Sequence, residues 1–295
     1  MAITASLVKE LRERTGAGMM ECKKALVEAD GDLDVAIEAM RKSGQAKAAK
    51  KAGRIAADGT VELRLSEDRR RGVMVEINSE TDFVAKDDNF AAFAAAVADC
   101  ALGSDASDAE ALLSEPLRAG EDTSVDAARQ ALISKLGENI QVRRLVRFDD
   151  CQGELHGYRH GMRIGVVVEI TGGNAELGKD IAMHVAASSP ICVSAEDVPA
   201  AALEKEREIF RAQALESGKP PQIIDKITEG RMRKYLEEVT LIGQPFVKDP
   251  DQSVGKLLSQ AGARVVRFAR LEVGEGIEKK TENFAEEVAA QARGA

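Results

Sequence analysis

A six-residue segment that occurs twice limits the folds open to this 295-residue chain. Gly72-Val-Met-Val-Glu-Ile77 and, 93 positions later, Gly165-Val-Val-Val-Glu-Ile170 are near-continuous apolar runs, which are typical of buried strands. An alternating segment precedes each of them, Gly59-Thr-Val-Glu-Leu63 and Gly153-Glu-Leu-His-Gly-Tyr158, so each pair predicts a β-hairpin. Similar segments at a fixed offset indicate repeated structural units.

The segments after each hairpin also correspond. Alanine-rich residues 89–96 and residues 180–187 both predict helices, and residues 140–144 and 263–268 both predict strands. A sheet with one apolar face buries it under helices. We therefore predict an α+β fold with a duplicated hairpin, helix and strand core. The first half of this core spans residues 55–148 and the second half spans residues 149–275.

The segment before the core predicts three short helices. Thr4 and Asp32 are suitable caps for the first and third, and residues 19–28 form the second. The basic stretch at residues 42–54 carries no interleaved aromatic side chain, which favours a solvated linker over a nucleic-acid surface. Residues 1–54 are therefore expected to form an N-terminal three-helix domain and a basic linker. So small a bundle is marginally stable alone, which favours tethering or partner binding.

The second half of the core carries an insertion at residues 196–241 that is rich in Glu, Lys, Arg and Ala. It predicts an antiparallel helical hairpin that turns at residues 217–221. The hairpin either projects as a surface for self-association or partner contact, or packs down on its own sheet. Residues 276–295 predict a C-terminal helical module.

Composition excludes several classes of protein. The net charge is −9, the aromatic content is 3% and Trp is absent, which argues against a nucleic-acid binder. No apolar run approaches the roughly 20 residues of a membrane-spanning helix, and the start lacks the features of a signal peptide. We therefore expect a cytoplasmic protein. The four cysteines are widely separated, which favours buried, reduced thiols over a zinc site or a disulfide framework.

Motifs of catalysis are missing from the sequence. It contains no phosphate-binding glycine loop, nucleophile elbow or zinc-protease motif, so we expect no enzymatic activity, no cofactor and no metal. His184 lies among apolar residues and is expected to be buried in the core. His156 and His160 flank a predicted turn at Gly157-Tyr-Arg159. At this turn His160 is a candidate partner contact.

The two copies differ most just after their buried strands. The first continues Asn78-Ser-Glu-Thr-Asp-Phe-Val84, whereas the second continues Thr171-Gly-Gly-Asn-Ala175. A structural repeat gives no packing reason for an acid and a large aromatic at this connection. Two interpretations stay open: Phe83 folds back near Phe90 as a helix staple, or it is exposed and enters a pocket on a partner.

Consecutive methionines follow a glycine break in the first segment. Met19 and Met20 cannot easily both face the core, so at least one is expected to be exposed. Methionine side chains make adaptable contact surfaces.

The residues singled out here occur together in a known family. Residues 3–20, ending Thr15-Gly-Ala-Gly-Met-Met20, with Cys22-Lys-Lys-Ala-Leu26, resemble the amino-terminal domain of the elongation factor Ts family. The resemblance continues through residues 47–53, the Thr81-Asp-Phe-Val-Ala-Lys-Asp87 signature, His160-Gly161 and residues 274–278. It covers essentially the whole chain.

This resemblance implies a ubiquitin-associated-like fold for the first domain and guanine-nucleotide exchange on elongation factor Tu. It implies that Thr81, Asp82, Phe83 and Val84 approach the partner's magnesium site, with Asp82 and Phe83 displacing the ion. It further implies that Arg12, Met19 and Met20 contact the GTPase domain, that Lys51 and the second half of the core, including His160, add contacts, and that the helical hairpin serves association.

Overall fold

The computed structural model describes residues 3–15, 17–216 and 220–278. The helices are α1 (Ala5–Thr15), α2 (Met19–Glu28), α3 (Leu33–Lys51), α4 (Asp82–Ala85), α5 (Asp88–Gly103), α6 (Ala109–Leu113), α7 (Val125–Leu136), α8 (Ala175–Ser188), α9 (Ala200–Leu215), α10 (Pro221–Val239) and α11 (Val254–Gln260). The strands are β1 (Asp58–Leu65), β2 (Gly72–Ser79), β3 (Gln141–Phe148), β4 (Glu154–His160), β5 (Ile164–Thr171), β6 (Pro245–Phe246), β7 (Asp249–Ser253) and β8 (Arg264–Glu272). The predicted α+β class is confirmed.

Helices α1, α2 and α3 enclose a small core of their own, which includes Leu11, Cys22, Leu26 and Ala36. The Asp32 side chain caps α3 by accepting hydrogen bonds from the backbone N–H groups of the next turn. The ubiquitin-associated-like character of this bundle stays a prediction.

The basic stretch expected to be a solvated linker is helical over most of its length, because α3 continues to Lys51. Gly44 and Ala48 are buried on one side of α3, and a side chain at position 44 would lie 3.8 Å from Ser134 Cβ on α7. The sequence pattern did not predict this buried face, because small residues rather than large apolar ones form it. The basic side chains occupy the other sides of a helix that packs on the core.

Two three-stranded antiparallel sheets form the centre of the molecule, with strand orders β1-β2-β3 and β4-β5-β8. In each sheet the glycine-led apolar strand of the repeat is central, and the register shifts immediately after its glutamate, Glu76 or Glu169. All eight residues of β2 are buried. A strand covered on both faces explains the near-continuous apolar run.

The two sheets pack against each other through a cluster that includes Val61, Met74, Leu155 and Val167. Backbone hydrogen bonds also join them: Val61 N–H donates to Met162 C=O at 2.8 Å, and Leu155 N–H donates to Arg69 C=O at 2.9 Å. In both cases the first strand of one sheet contacts the hairpin turn of the other. Helices α5 and α7 cover the outer face of the first sheet, and α8 and α11 cover that of the second.

The insertion forms two helices, α9 and α10, that pack together. Phe210 and Tyr235 meet edge to face with ring centroids 6.2 Å apart, and Arg211 lies 3.8 Å from Asp225. Most of the predicted turn, residues 217–219, lies outside the described residues. Strands β6 and β7 and helix α11 follow the insertion and have no counterpart in our sequence expectations.

Several smaller expectations have definite outcomes. The predicted C-terminal helical module lies outside the described residues except for 276–278, which form a turn and its continuation. Of the four cysteines only Cys22 is buried, while Cys100, Cys151 and Cys192 are partly exposed, so the prediction of four buried thiols was wrong. His184 is fully buried, as predicted. Among the described residues, no helix combines the length and apolarity needed to cross a membrane.

Candidate functional site

The connection after β2, which differs between the two copies of the repeat, contains the single-turn helix α4. Thr81 caps this turn through Oγ1, which accepts a hydrogen bond from Val84 N–H at 3.4 Å. Both donors of Thr81 are directed at Glu138, the residue after the left-handed Gly137 that ends α7: the backbone N–H lies 3.0 Å from Oε2 and the hydroxyl 2.6 Å from Oε1.

The four predicted residues of this segment divide into two pairs. Asp82 and Phe83 are exposed, and 82% of the Phe83 surface is accessible to solvent. Val84 is partly buried and packs on the core cluster of the first sheet, while Thr81 is held by Glu138. The structure therefore presents Asp82 and Phe83 outward and uses Thr81 and Val84 to anchor them.

The staple interpretation of Phe83 is wrong. Phe90 is fully buried, whereas Phe83 projects into solvent on the preceding turn. Asp87 caps α5 by accepting hydrogen bonds from the N–H groups of Asn89 and Phe90, so a hydrophobic staple is not needed to start this helix.

A charged partner accompanies the exposed aspartate. Lys86 Nζ lies 2.7 Å from Asp82 Oδ2, four residues apart along the chain. The hydrogen bond and the positive charge of Lys86 lower the pKa of Asp82 below its usual value. Asp82 is therefore a carboxylate at neutral pH. Sequence reasoning did not select Lys86 or Glu138, although an acid followed by a lysine four residues later is a recognisable signal for the first of these.

The end of α3 lies close to this turn. The Arg54 guanidinium lies 3.6 Å from a Glu80 carboxylate oxygen, and Asn139 Nδ2 donates to Arg54 C=O at 2.7 Å. Glu80 also accepts a hydrogen bond from Asn139 N–H at 2.6 Å. Residues 80–81, residues 138–139 and the residues just after α3 thus meet at one place.

The predicted contact residues on α1 and α2 are exposed. Met19 is 61% and Met20 75% accessible, so both methionines face solvent. Val27 follows Met20 at a spacing of seven on α2 and is also exposed, which places two apolar side chains on one helix face. Arg12 is exposed and lines a shallow cleft between α1 and Lys135 of α7.

Lys51 and His160 lie in different surroundings. Lys51 is partly buried, and its amine donates to the carbonyl of Gly137 at the end of α7. The structure thus gives Lys51 a contact within the chain. His160 is exposed at the end of β4, beside Tyr158, whose hydroxyl lies 3.2 Å from His160 Nδ1. The predicted turn at residues 157–159 is wrong, because these residues belong to β4 and the turn begins at Gly161.

The exposed groups are the Phe83 ring and the Asp82 carboxylate on one turn, residues 81–84, which we call the wedge, and a separate apolar face on α2. Among the described residues, no group of three or more His, Cys, Asp or Glu side chains is placed to hold a metal ion. The arrangement is suited to inserting side chains into another macromolecule, since an exposed aromatic on a capped turn keeps its position without burying its ring.

Comparisons with known proteins show which family this chain belongs to. The family model described as Elongation factor TS matches residues 80–275. The chain is 64% identical to elongation factor Ts of Thioalkalivibrio sulfidiphilus and 62% identical to that of Alkalilimnicola ehrlichii, in both cases over all of each chain. It is 60% identical to elongation factor Ts of Methylococcus capsulatus over 99% of each chain. The chain belongs to the elongation factor Ts family.

Proposed function

We propose that this protein is a guanine-nucleotide exchange factor that promotes GDP release from elongation factor Tu during translation elongation. The observation that carries this proposal is the exposure of Phe83, beside Asp82, on a turn that Thr81 and Val84 anchor. Phe83 is the most exposed large apolar side chain among the described residues, and exposed aromatic side chains are common anchors of protein interfaces. Such a side chain is accounted for by a partner pocket.

Phe83 supplies binding energy at the wedge. Burying its ring in a pocket on the partner contributes roughly 1.5–3 kcal/mol. Asp82 enters beside it and places a carboxylate near the magnesium ion and phosphates of the bound nucleotide. This disturbs a site organised by the balance between a cation and its anionic ligands.

The remaining contacts are distributed over the molecule. Weakening nucleotide binding a thousandfold requires about 4 kcal/mol of coupling, more than Phe83 supplies. Met19, Met20 and Arg12 of the N-terminal domain provide a second contact, with the GTPase domain of the partner. Lys51 and His160 add further contacts with elongation factor Tu. Coupling is reciprocal, so rebinding of nucleotide expels the factor and makes it recyclable.

The proposed mechanism involves no covalent chemistry, cofactor, metal ligand or nucleic acid. It also implies that the protein acts in the cytoplasm with the translation machinery.

The helical hairpin is the surface that we propose for self-association. Ile209, Leu215 and Ile223 are exposed on α9 and α10, beside the end where the two helices join. Sedimentation of the full chain over a range of concentrations tests this assignment. A mass that stays monomeric at all concentrations contradicts it.

Release of a fluorescent GDP analogue from elongation factor Tu tests the exchange function. The analogue is preloaded, unlabelled GDP is added in excess, and substoichiometric amounts of this protein are supplied. Acceleration with turnover supports the proposal. Stable binding to elongation factor Tu without acceleration contradicts it and identifies an adaptor instead.

A further inference from the structure

We propose that Glu138 is a positioning residue that holds the wedge turn in its active geometry. This inference rests on the proposed exchange function. Glu138 lies in the connection between α7 and β3, whereas the wedge lies in the connection after β2. Glu138 is partly buried, and both of its carboxylate oxygens are occupied by Thr81, one by the backbone N–H and one by the hydroxyl. It has no need to touch the partner in order to act.

The turn requires such support because it is short. Helix α4 has four residues, and an isolated helical turn is unfavourable because few hydrogen bonds offset the ordering of its backbone. The capping hydrogen bond, which Val84 N–H donates to Thr81 Oγ1, is long at 3.4 Å. Glu138 fixes the hydroxyl that makes this cap, and hydrogen bonds to a carboxylate are shorter and stronger than neutral ones.

The Glu138 contact is one half of a reciprocal brace between residues 80–81 and residues 138–139. Glu138 accepts the backbone N–H of Thr81, and Glu80 accepts the backbone N–H of Asn139. Each segment therefore uses a glutamate to hold the main chain of the other. The arrangement leaves the start of the wedge with little freedom to rotate relative to α7.

The brace is also fixed to the N-terminal domain. Asn139 is fully buried, and its amide donates to Arg54 C=O at 2.7 Å and toward Ala52 C=O at 3.4 Å, just beyond the end of α3. Lys51 contacts Gly137, the residue before Glu138. The same turn thus determines where the wedge lies relative to the domain that carries Met19 and Met20.

This role predicts a particular kinetic pattern. Initial binding through the N-terminal domain does not require an ordered wedge, whereas expulsion of nucleotide does. Loss of Glu138 should therefore lower the maximal rate of GDP release at saturating factor and leave the half-saturating concentration nearly unchanged. A residue that contacts the partner directly, or one that only stabilises the fold, does not give this separation.

The test compares Glu138→Ala, Glu138→Gln and the matched control Glu110→Ala, an exposed glutamate on α6. Release of preloaded fluorescent GDP from elongation factor Tu is followed by stopped flow over a range of factor concentrations. We expect about a tenfold lower maximal rate for Glu138→Ala, a smaller loss for Glu138→Gln, which keeps one acceptor, and no change for the control. The half-saturating concentrations of all three variants should agree with that of the unaltered protein within about twofold.

Amide hydrogen exchange gives an independent readout on the free protein. The amides of Thr81 and Val84 should exchange faster in both Glu138 variants, while those in the middle of α5 keep their protection. If Glu138→Ala is too unstable to assay, Glu138→Gln carries both measurements. An unchanged maximal rate in a folded variant, a raised half-saturating concentration alone, or unchanged exchange at Thr81 overturns the inference.

Failure of this inference is distinguishable from failure of the proposed function. If the unaltered protein does not accelerate GDP release, the exchange function itself is wrong. If the unaltered protein is active and Phe83→Ala is impaired while both Glu138 variants match the unaltered protein, only the positioning role is wrong.

Discussion

Lys86 and Asp82 form an ion pair, 2.7 Å between Nζ and Oδ2, on the turn that exposes Phe83. Both side chains remain more than half exposed, so the pair contributes little to stability. Its effect is local, since it orders the carboxylate next to the aromatic ring. The ion pair therefore gives the Asp82 carboxylate a preferred direction on the exposed turn.

Replacing Lys86 with Met should raise the pKa of Asp82 toward the usual aspartate value, because the hydrogen bond and charge of Lys86 depress it. Because the pKa of Asp82 is lowered, its ion pair with Lys86 persists to lower pH than an ordinary aspartate would allow. The ion pair is lost as pH falls through the pKa of Asp82 in the folded protein. Carboxyl-detected NMR titration measures the shift. The pKa of Asp68, lowered by Ser66 and the Arg70 backbone, should stay unchanged. An unmoved Asp82 titration contradicts the assignment.

Phe83→Ala should reduce GDP release at least about tenfold, because the variant lacks the ring that we propose enters a pocket on elongation factor Tu. Its free energy of unfolding should stay within about 0.5 kcal/mol of the unaltered protein, since the ring is 82% exposed. Urea unfolding and the release assay check these two outcomes together. Exchange at the original rate removes the wedge from the mechanism.

Met20→Ala should weaken binding to nucleotide-free elongation factor Tu by about tenfold, because the side chain is 75% exposed in the free protein and is proposed to be buried in the complex. Titration calorimetry measures the affinity. Ile191→Ala is the control, since Ile191 is 59% exposed but belongs to none of the proposed contacts. Equal affinities for both variants and the unaltered protein would show that α2 does not contribute.

Gly178→Ala should destabilise the protein by about 1–3 kcal/mol, because the added Cβ would lie 2.2 Å from Cγ of the buried His156 ring. Gly230→Ala is the matched control within a helix. Apart from its chain neighbours and its own helix backbone, no described heavy atom lies within 4 Å of its added Cβ, so helix propensity should stabilise the protein by about 0.5–1 kcal/mol. Urea unfolding compares the two. The same sign of change for both variants would contradict the described packing of α8 on β4.

Glu76→Gln should destabilise the protein by about 3 kcal/mol at neutral pH. The Glu76 carboxylate is fully buried and accepts hydrogen bonds from the guanidinium groups of Arg143 and Arg144 and from Gly274 N–H. Burial alone raises the pKa of Glu76, but the hydrogen bonds from Gly274, Arg144 and Asn78 and the charge of Arg144 outweigh it and lower the pKa.

This lowered pKa gives the Glu76 interaction a defined pH dependence. Its stabilisation is complete above the unfolded-state pKa and is lost as pH falls below about 4. Unfolding measured from neutral to acid pH should show the two proteins converging. Glu121→Gln, at an exposed ion pair with Arg118, should have almost no effect. A pH-independent difference for Glu76→Gln would contradict the linkage.

The sequence predicted the central strands and their helices well, because burial on both faces leaves a continuous apolar run such as residues 72–77. It misjudged the basic stretch, because α3 packs through Gly44 and Ala48 and these small residues leave no apolar periodicity. The length of a helix that packs through small residues depends on its tertiary neighbour, and no local pattern reports that neighbour.

The exposed turn at Asp82 and Phe83 was selected from a local difference between the two copies, and the exposure of Phe83 excludes the staple interpretation. Entry of Phe83 into a partner pocket stays a proposal. Glu138 could not be found in this way. It lies 57 positions from Thr81, and its contact exists only because β2 and β3 are neighbours in the sheet. Lys51 illustrates the same limit, since only the fold shows that its amine reaches Gly137.

The paired hydrogen bonds between the sheets, Val61 to Met162 and Leu155 to Arg69, bear on how the chain folds. Each half offers the other a strand edge and a turn, and neither half retains a complete inner core when separated. The two copies of the repeat therefore share the cluster between their sheets. We expect the duplicated halves to melt in a single transition, and a break in the chain near residue 149 to yield fragments that regain structure only when mixed.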